Sequence, residues 1–436
     1  MADQANNQEV EPLGLTVGEI DLSDLTVVED GGVASAQGFR ACGVHAGFRA
    51  DPERLDMALV VADEPCAAAA TFTQNVFCAA PVIVSRAHLD GVSYGTARAV
   101  CINSGTANAA TGVVGIENAE RMSDIVAESV GCPSDEVLIA STGVIGQHLP
   151  MGPFETGVPQ ALDQLSSEGG HTAARAIMTT DTHPKEFAVS FTGEDFGCPD
   201  ATFTVGGMAK GAGMIMPNMA TMICVITTDA PVAPDVLHKL LLDAVGASFN
   251  KITVDSDTST NDTCFVLANG AASPMGKLFE PGTYALELFA RALRAVCCTL
   301  ARSMAADGEG ATRLITVRVT GAATDADADA AARTVANSPL TKTAIYGHDA
   351  NWGRIAGALG RSGAKFTQET VDIDIMGMPV LRAGLPVPFD EEEALRRFER
   401  PEVDIDIDLG AGACQTMMWT CDFSHEYVTI NGDYRT

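Results

Sequence analysis

One segment, residues 210–221 (Lys-Gly-Ala-Gly-Met-Ile-Met-Pro-Asn-Met-Ala-Thr), combines residue types that could cut the chain itself. A threonine hydroxyl is a weak nucleophile unless a base lies within hydrogen-bond reach. If the bond between Ala220 and Thr221 breaks, the new α-amine of Thr221 becomes that base, because an α-amine titrates near pH ~7.7–8.0. A threonine paired with its own amine is a known variant of the serine–histidine arrangement. The segment therefore predicts a self-cleavage site with Thr221 as the nucleophile.

The same segment has a simpler interpretation as a turn. Gly211, Gly213 and Pro217 suit a bent connection, and the apolar residues 222–226 predict a buried strand directly after it. A phosphate-binding loop is excluded, since the required Gly-Lys-Ser/Thr spacing is missing and a strand rather than a helix follows. On residue chemistry alone, a glycine-rich turn between two strands is favoured over a cleavage site.

Further motifs follow in order along the chain and favour the cleavage site over the plain turn. They lie at residues 102–105, 140–146, 179–182, 254–263, 308–312, 348–353 and 427–436. Together with residues 210–221, this ordered set resembles the ornithine acetyltransferases, also called glutamate N-acetyltransferases, of cyclic arginine biosynthesis. The resemblance extends from about residue 35 to residue 436.

The resemblance implies a role for each matching position. Thr221 would be the nucleophile that takes an acetyl group from N2-acetyl-L-ornithine and gives it to L-glutamate, and Ala220 would precede the cleaved bond. Thr142 and Gly143 match the family's oxyanion hole, where losing one donor typically costs ~10²–10³ in rate. The substrate-binding positions implied are Thr179, Lys210, Thr221, Glu309, Asn431 and Thr436.

Two of these positions also have a plain structural interpretation. Ser-Thr-Gly at 141–143 is typical of a turn that ends a strand, and Glu309 follows an Asp-Gly turn, as a surface glutamate at a helix end would. Asn431 and Thr436 lie in the last six residues, which are expected to be ordered only if they close over a site.

The resemblance also implies an architecture. It is a layered α/β (α+β) sheet core flanked by helices, similar to the fold of self-processed aminopeptidases with an N-terminal threonine nucleophile. Cleavage would give an α chain over residues 12–220 and a β chain over residues 221–436, and two of each would form a heterotetramer. No cofactor is expected, and the sequence leaves open whether acetyl-CoA also serves as acetyl donor.

Two alternatives remain open. A self-processed aminopeptidase of related fold would use the same nucleophile to hydrolyse peptides; Lys210, Glu309, Asn431 and Thr436 favour a transferase instead. A non-enzymatic amino-acid-binding protein would keep the Ala220–Thr221 bond intact.

Composition limits the partners. The net charge of −30 over 436 residues argues against nucleic acid and anionic membranes. Anionic substrates would then need local cations, for which Lys210 and Lys185 are the candidates. The 12 cysteines have irregular spacing and lie mostly in apolar stretches, which predicts free thiols and a cytoplasmic location. No metal site is expected, because the 8 histidines are scattered, and residues 255–259 lack the glycine and glutamate that would complete a calcium loop.

Periodicity predicts mixed α and β elements. Strands are expected at residues 98–102, 137–140 and 314–320, and helices at 115–130 and 283–304. Another helix should begin near residue 325, and residues 193–200 should form a surface loop between strands. Residues 1–11 are polar and acidic, which predicts a disordered tail with no targeting signal.

Overall fold

A computed structural model of the chain describes residues 20–216, 222–274 and 276–433, with the Asp195 side chain excepted. Ala220, Thr221 and Thr436 therefore lie outside the described residues, as does the predicted tail at 1–11. Within the described part, two β-sheets carry helices on their faces. The prediction of a layered α/β core is confirmed.

The first sheet has the strand order β1-β6-β7-β8-β9-β3-β4-β5, and β2 also pairs with β3. Its strands are β1 (Thr26–Val27), β2 (Phe39–Val44), β3 (Met57–Phe72), β4 (Tyr94–Thr106), β5 (Val137–Val144), β6 (Lys185–Gly193), β7 (Cys198–Lys210), β8 (Ile223–Thr228) and β9 (Thr263–Ala268). β7 and β8 are antiparallel neighbours on either side of the predicted cleavage point, and β8 continues parallel to β9. The two strands β8 and β9 thus lie between β7 and β3.

The second sheet has the order β13-β12-β11-β14-β10-β15. Its strands are β10 (Leu314–Ala322), β11 (Asp372–Ile375), β12 (Met378–Arg382), β13 (Leu385–Pro386), β14 (Glu402–Asp408) and β15 (Cys414–Cys421). β10 buries the apolar residues Ile315, Val317 and Val319, but Thr316 is buried as well, so the strand is less exposed than its alternating sequence pattern predicts.

The helices cover both sheets. They are α1 (Ala80–His88), α2 (Gly112–Val130), α3 (Gly152–Gln164), α4 (Gly170–Ala176), α5 (Pro234–Ala247), α6 (Tyr284–Ala306), α7 (Asp325–Ala336), α8 (Pro339–Tyr346), α9 (Trp352–Gly360), α10 (Glu391–Arg397) and α11 (His425–Asp433). α5 and α6 pack on the first sheet, and one buried cluster joins them to Leu314 and Trp419 of the second. α7 packs on β10 and β15 of the second sheet. In the described residues no helix has the length and apolar character needed to cross a bilayer.

Most predicted elements are found with small changes in their bounds. α6 begins at Tyr284, because the Thr283 hydroxyl accepts a hydrogen bond from Leu286 N at 3.4 Å and so caps the helix. α7 begins at Asp325 with a similar cap from Thr324. The loop predicted at 193–200 is shorter than expected, since β6 continues to Gly193 and β7 begins at Cys198.

One local prediction was wrong. β5 does not end before the Ser-Thr-Gly motif; it continues to Val144, because parallel pairing with β4 extends through Ser104–Thr142 and Gly105–Gly143. Gly143 has φ 131°, and a Cβ there would lie 2.2 Å from the Gly105 carbonyl carbon. Only glycine fits where the two backbones approach this closely.

Candidate active site

A cavity of about 220 Å³ collects the predicted site residues that the structure describes. It is lined by Thr142, Gly143, Thr179, Lys210, Glu309 and Asn431, which come from five separate parts of the chain. Asp255, Asp257, Asn261 and Tyr427 add to its polar lining, together with Thr180, Ser259 and Thr260. Sequence positions as distant as 142 and 431 are therefore brought to one place.

A larger groove of about 980 Å³ lies between α5, α6, α7 and β15. It is lined by none of the predicted residues. Several of its cations are already paired, Lys251 and Arg333 with Asp329 and Arg318 with Asp404. Since catalysis depends on convergent functional groups rather than on volume, the smaller cavity is the candidate active site.

Lys210 is the last residue of β7 and is 3% exposed. In the described parts of the chain its ammonium group has no recorded hydrogen bond or ion pair, although it lines the cavity. Burial lowers the pKa of Lys210, and so does the Lys185 ammonium, whereas Asp181, Glu309 and Asp262 act in the opposite direction. With respect to the described residues, the cavity thus contains a buried cation whose hydrogen-bonding capacity is available to a ligand.

Lys185 is not among the residues that line the cavity, although it was a candidate cation for an anionic substrate. Its ammonium donates to Asp181 Oδ1 at 2.7 Å and to Asp307 Oδ2 at 2.6 Å, and both carboxylates are buried. It is therefore neutralised by the protein itself, and the prediction that it serves as a second local cation for substrate is not supported.

Asp181 connects this cluster to the cleavage segment. Its Oδ1 also accepts a hydrogen bond from Gly211 N at 2.6 Å, and its Oδ2 accepts one from Thr179 N at 3.0 Å. Burial would raise the pKa of Asp181, but Lys185 and Lys210 hold it well below its usual range. The ionised carboxylate therefore fixes the backbone of the predicted site residue Thr179 and of Gly211, which follows Lys210.

Glu309 is buried rather than on the surface, being 8% exposed. Its Oε2 accepts a hydrogen bond from Asn431 Nδ2 at 2.7 Å, and its N–H donates to Ala212 O at 2.8 Å. A Cβ on Gly213 would lie 2.4 Å from the Glu309 carboxyl group. The cleavage segment and the end of the chain therefore both contact this carboxylate.

The end of the chain is ordered where Asn431 lies. Residues up to Asp433 form α11, in which Asn431 Nδ2 also donates to Tyr427 O at 3.0 Å. The helix thus covers one side of the cavity, as expected of a tail that closes over a site. Thr436 lies outside the described residues.

Residues 255–262 form one wall of the cavity. The sequence indicated a motif here but no role for it. Asn261 Nδ2 donates to Ala107 O at 2.7 Å and to Ser141 O at 2.8 Å, which joins this wall to the ends of β4 and β5. Asp255 accepts hydrogen bonds from the N–H groups of Met214 and Ile215, at 2.5 and 2.8 Å. A run of Asp, Asn, Ser and Thr directly before an apolar strand was the available signal.

Fold and site together define a layered α/β protein with a small charged cavity suited to a molecule that carries both a carboxylate and an ammonium group. The profile of the ArgJ family matches residues 40–436, and the chain belongs to that family.

Two relatives agree with this assignment. The arginine biosynthesis bifunctional protein ArgJ of Symbiobacterium thermophilum is 48% identical over 93% of this chain and 99% of its own length. The protein of the same name from Chlorobaculum tepidum is 46% identical over 92% of this chain and 96% of its own. A crystal structure of ornithine acetyltransferase with ornithine from Mycobacterium tuberculosis is 39% identical, covers 44% of this chain and 98% of that one, and has a TM-score of 0.40. The prediction of an acetyltransferase of arginine biosynthesis is confirmed, whereas the role of each residue stays a prediction.

Proposed function

We propose that this chain cleaves itself between Ala220 and Thr221 and then carries an acetyl group on the Thr221 hydroxyl from N2-acetyl-L-ornithine to L-glutamate. The main support is that Lys210 and Glu309 line one cavity with Thr142 and Gly143. An ammonium and a carboxylate in one small cavity complement the opposite charges of an amino-acid substrate.

The charges suggest how the donor binds. Lys210, which has no hydrogen bond or ion pair with another described residue, would donate hydrogen bonds to the α-carboxylate of N-acetylornithine. Glu309 would pair with the side-chain ammonium, and charge-assisted hydrogen bonds of this kind contribute about 1.5–3 kcal/mol each. Asp255 and Asp257 add further negative charge to the lining. The cavity therefore favours the ornithine side chain over the carboxylate of glutamate.

Acetyl transfer would proceed in two steps, from the donor to Thr221 and from Thr221 to glutamate. The Thr221 hydroxyl oxygen attacks the acetyl carbonyl carbon, its proton passes to the Thr221 α-amine, and that proton then goes to the departing nitrogen of ornithine. In the second step the α-amine of glutamate attacks the acetyl-threonine ester and restores the hydroxyl. Thr142 and Gly143, which line the same cavity, would stabilise the oxyanion in both steps.

Self-cleavage is supported by how the flanking backbone is held. Asp181 binds Gly211 N, Asp255 binds Met214 N and Ile215 N, and Asp262 binds Met222 N. Three carboxylates thus fix the chain on both sides of the proposed scissile bond. Such fixed geometry is what brings a hydroxyl and a carbonyl carbon into an attacking arrangement.

Several finer statements belong to the proposal as well. Acetyl-CoA would act as a second acetyl donor, consistent with the word "bifunctional" in the names of the relatives. Only its acetyl end would enter a cavity of about 220 Å³. The processed chains would assemble as a heterotetramer of two α and two β chains in the cytoplasm.

Mass spectrometry of the purified protein tests the proposal. We expect two fragments divided between Ala220 and Thr221, and an added acetyl mass on the Thr221 fragment after incubation with N-acetylornithine alone. Thr221→Ala should give one intact chain without transfer. An intact parent chain, or transfer with intersecting rather than parallel double-reciprocal lines and no acetylated fragment, would refute it.

A further inference from the structure

Asp262 lies beside the proposed cleavage point and has no role in the transfer steps. Its side chain is 0% exposed, and its Oδ1 accepts a hydrogen bond from Met222 N at 3.0 Å. Met222 is the residue bonded directly to Thr221. The Asp262 carboxyl group therefore binds the backbone of the residue that follows the proposed nucleophile.

The second oxygen of Asp262 is buried and, among the described residues, has no hydrogen-bond partner. The nearby Thr73 hydroxyl donates its proton to Ser259 O at 2.7 Å and accepts a hydrogen bond from Asn75 N at 3.1 Å. A buried polar atom without a partner destabilises the folded state. This cost calls for an explanation, and a function at the cleavage point is one.

Asp229, at the other end of β8, provides a structural comparison. It is 2% exposed, and its two oxygens accept hydrogen bonds from Thr204 N at 2.7 Å and Gln37 N at 2.8 Å. Both oxygens are satisfied, as expected of a carboxylate that only joins backbone segments. Asp262 differs, because one of its oxygens accepts a backbone hydrogen bond whereas the other has no partner among the described residues.

The cleavage reaction needs a group that the transfer reaction does not. In the uncleaved chain the nitrogen of Thr221 belongs to a peptide bond and cannot act as a base. The Thr221 hydroxyl proton must therefore be taken by another group during self-cleavage.

We propose that the Asp262 carboxylate is the proton acceptor for the Thr221 hydroxyl in self-cleavage, directly or through one water. The hydroxyl oxygen attacks the Ala220 carbonyl carbon while its proton moves to Asp262. The bond between that carbon and the Thr221 nitrogen then breaks, and the proton passes from Asp262 to the new amine. Water hydrolyses the resulting Ala220 ester, which leaves a free carboxylate and the Thr221 hydroxyl. This inference rests on the self-cleavage part of the proposed function.

The surroundings of Asp262 suit a base. Burial raises its pKa well above the usual range, and the Met222 N–H, the Lys210 ammonium and the Thr73 hydroxyl offset this only in part. Lys210 is in turn influenced by Asp181, Lys185 and Glu309. A carboxylate with a raised pKa is a stronger base, and proton transfer is most effective when the pKa of the base lies near the working pH.

Cell-free synthesis of the full chain followed by a chase at several pH values measures the cleavage rate. Asp262→Asn retains an acceptor for Met222 N–H but cannot take a proton, so we expect cleavage at least ~100-fold slower. The parent rate should rise with pH through the Asp262 pKa, and the variant should lack that rise. Asp229→Asn is the matched control, which we expect to cleave within about threefold of the parent.

Each outcome decides between the two proposals. An uncleaved parent chain refutes self-cleavage and this inference together. A cleaving parent with Asp262→Asn within threefold of it, or with the same pH dependence, refutes this inference alone. If Asp262→Asn gives no soluble protein, Lys210→Met decides. Loss of its ammonium should move the rise in rate to higher pH, and an unmoved rise would overturn the role of Asp262.

Discussion

Changing Glu309→Gln should slow the first half-reaction of acetyl transfer without slowing the second. Glutamine keeps the side-chain shape beside Gly213 and an oxygen for Asn431, but it removes the buried negative charge. The ammonium of N-acetylornithine then loses its partner, a charge-assisted hydrogen bond of about 1.5–3 kcal/mol. That corresponds to a fall of roughly 10–150-fold in kcat/KM for the donor. Glutamate carries a carboxylate at the same end, so its half-reaction should be unchanged or faster.

The half-reactions can be measured separately. Release of ornithine from N-acetylornithine without glutamate reports the first, and loss of the acetyl group from pre-acetylated enzyme on adding glutamate reports the second. Glu426→Gln, an exposed position on α11, removes the same charge outside the cavity and serves as control. Equal losses in both half-reactions, or a donor kcat/KM within threefold of the parent, would show that Glu309 does not bind the ornithine side chain.

Three further predictions concern buried charges. Burial lowers the pKa of Lys210, so kcat/KM should fall as pH rises through a value below the usual ~10.4; Lys210→Arg should shift that fall upward, and identical pH profiles would contradict the role of its charge. Asp181→Asn breaks a buried ion pair with Lys185 and should lower the free energy of unfolding by about 3–5 kcal/mol, measured in urea titrations at pH 7. Because the Asp181 pKa is depressed, the extra stability of the parent is lost as pH falls through the folded-state pKa. A loss below about 1 kcal/mol at pH 7 would count against a stabilising ion pair. Burial raises the pKa of Asp229 to about 6, so the stability that Asp229 contributes is full below its unfolded-state pKa of ~3.9 and is lost as pH rises through its folded-state pKa. The difference in free energy of unfolding between parent and Asp229→Asn should therefore change by about 2–3 kcal/mol between pH 4 and 7. A difference that stays constant with pH would refute this prediction.

The elements that sequence predicted well depend on local periodicity. α6 matches the expected helix within two residues, because its apolar positions recur every three or four residues and Thr283 supplies a cap. β10 follows the alternation of Ile315, Val317 and Val319. Both patterns are readable from a short window of sequence.

The site features that sequence missed depend on distant contacts. Glu309 resembled a surface residue, but α11 packs over it through Asn431. Asp181 and Lys185 are spaced like an ordinary helical ion pair, yet they lie before and at the start of β6, where Asp307 completes the cluster. The last strand residues of β5 were assigned to a turn because pairing with β4 cannot be seen in a single segment. Which residues gather around Lys210 could be inferred only from the family resemblance.

The strand order has a consequence for when cleavage can take place. β7 belongs to the proposed α chain, whereas β8 and β9 belong to the β chain and lie between β7 and β3. Each fragment would therefore lack neighbours for its own strands, and separated fragments would expose unpaired edges. Folding of the intact chain is a unimolecular process, but reassembly of two unfolded fragments would depend on their concentration. The single chain would thus act as the template for its own assembly, and denatured mature enzyme should recover poorly on dilution even where the uncut Thr221→Ala chain refolds.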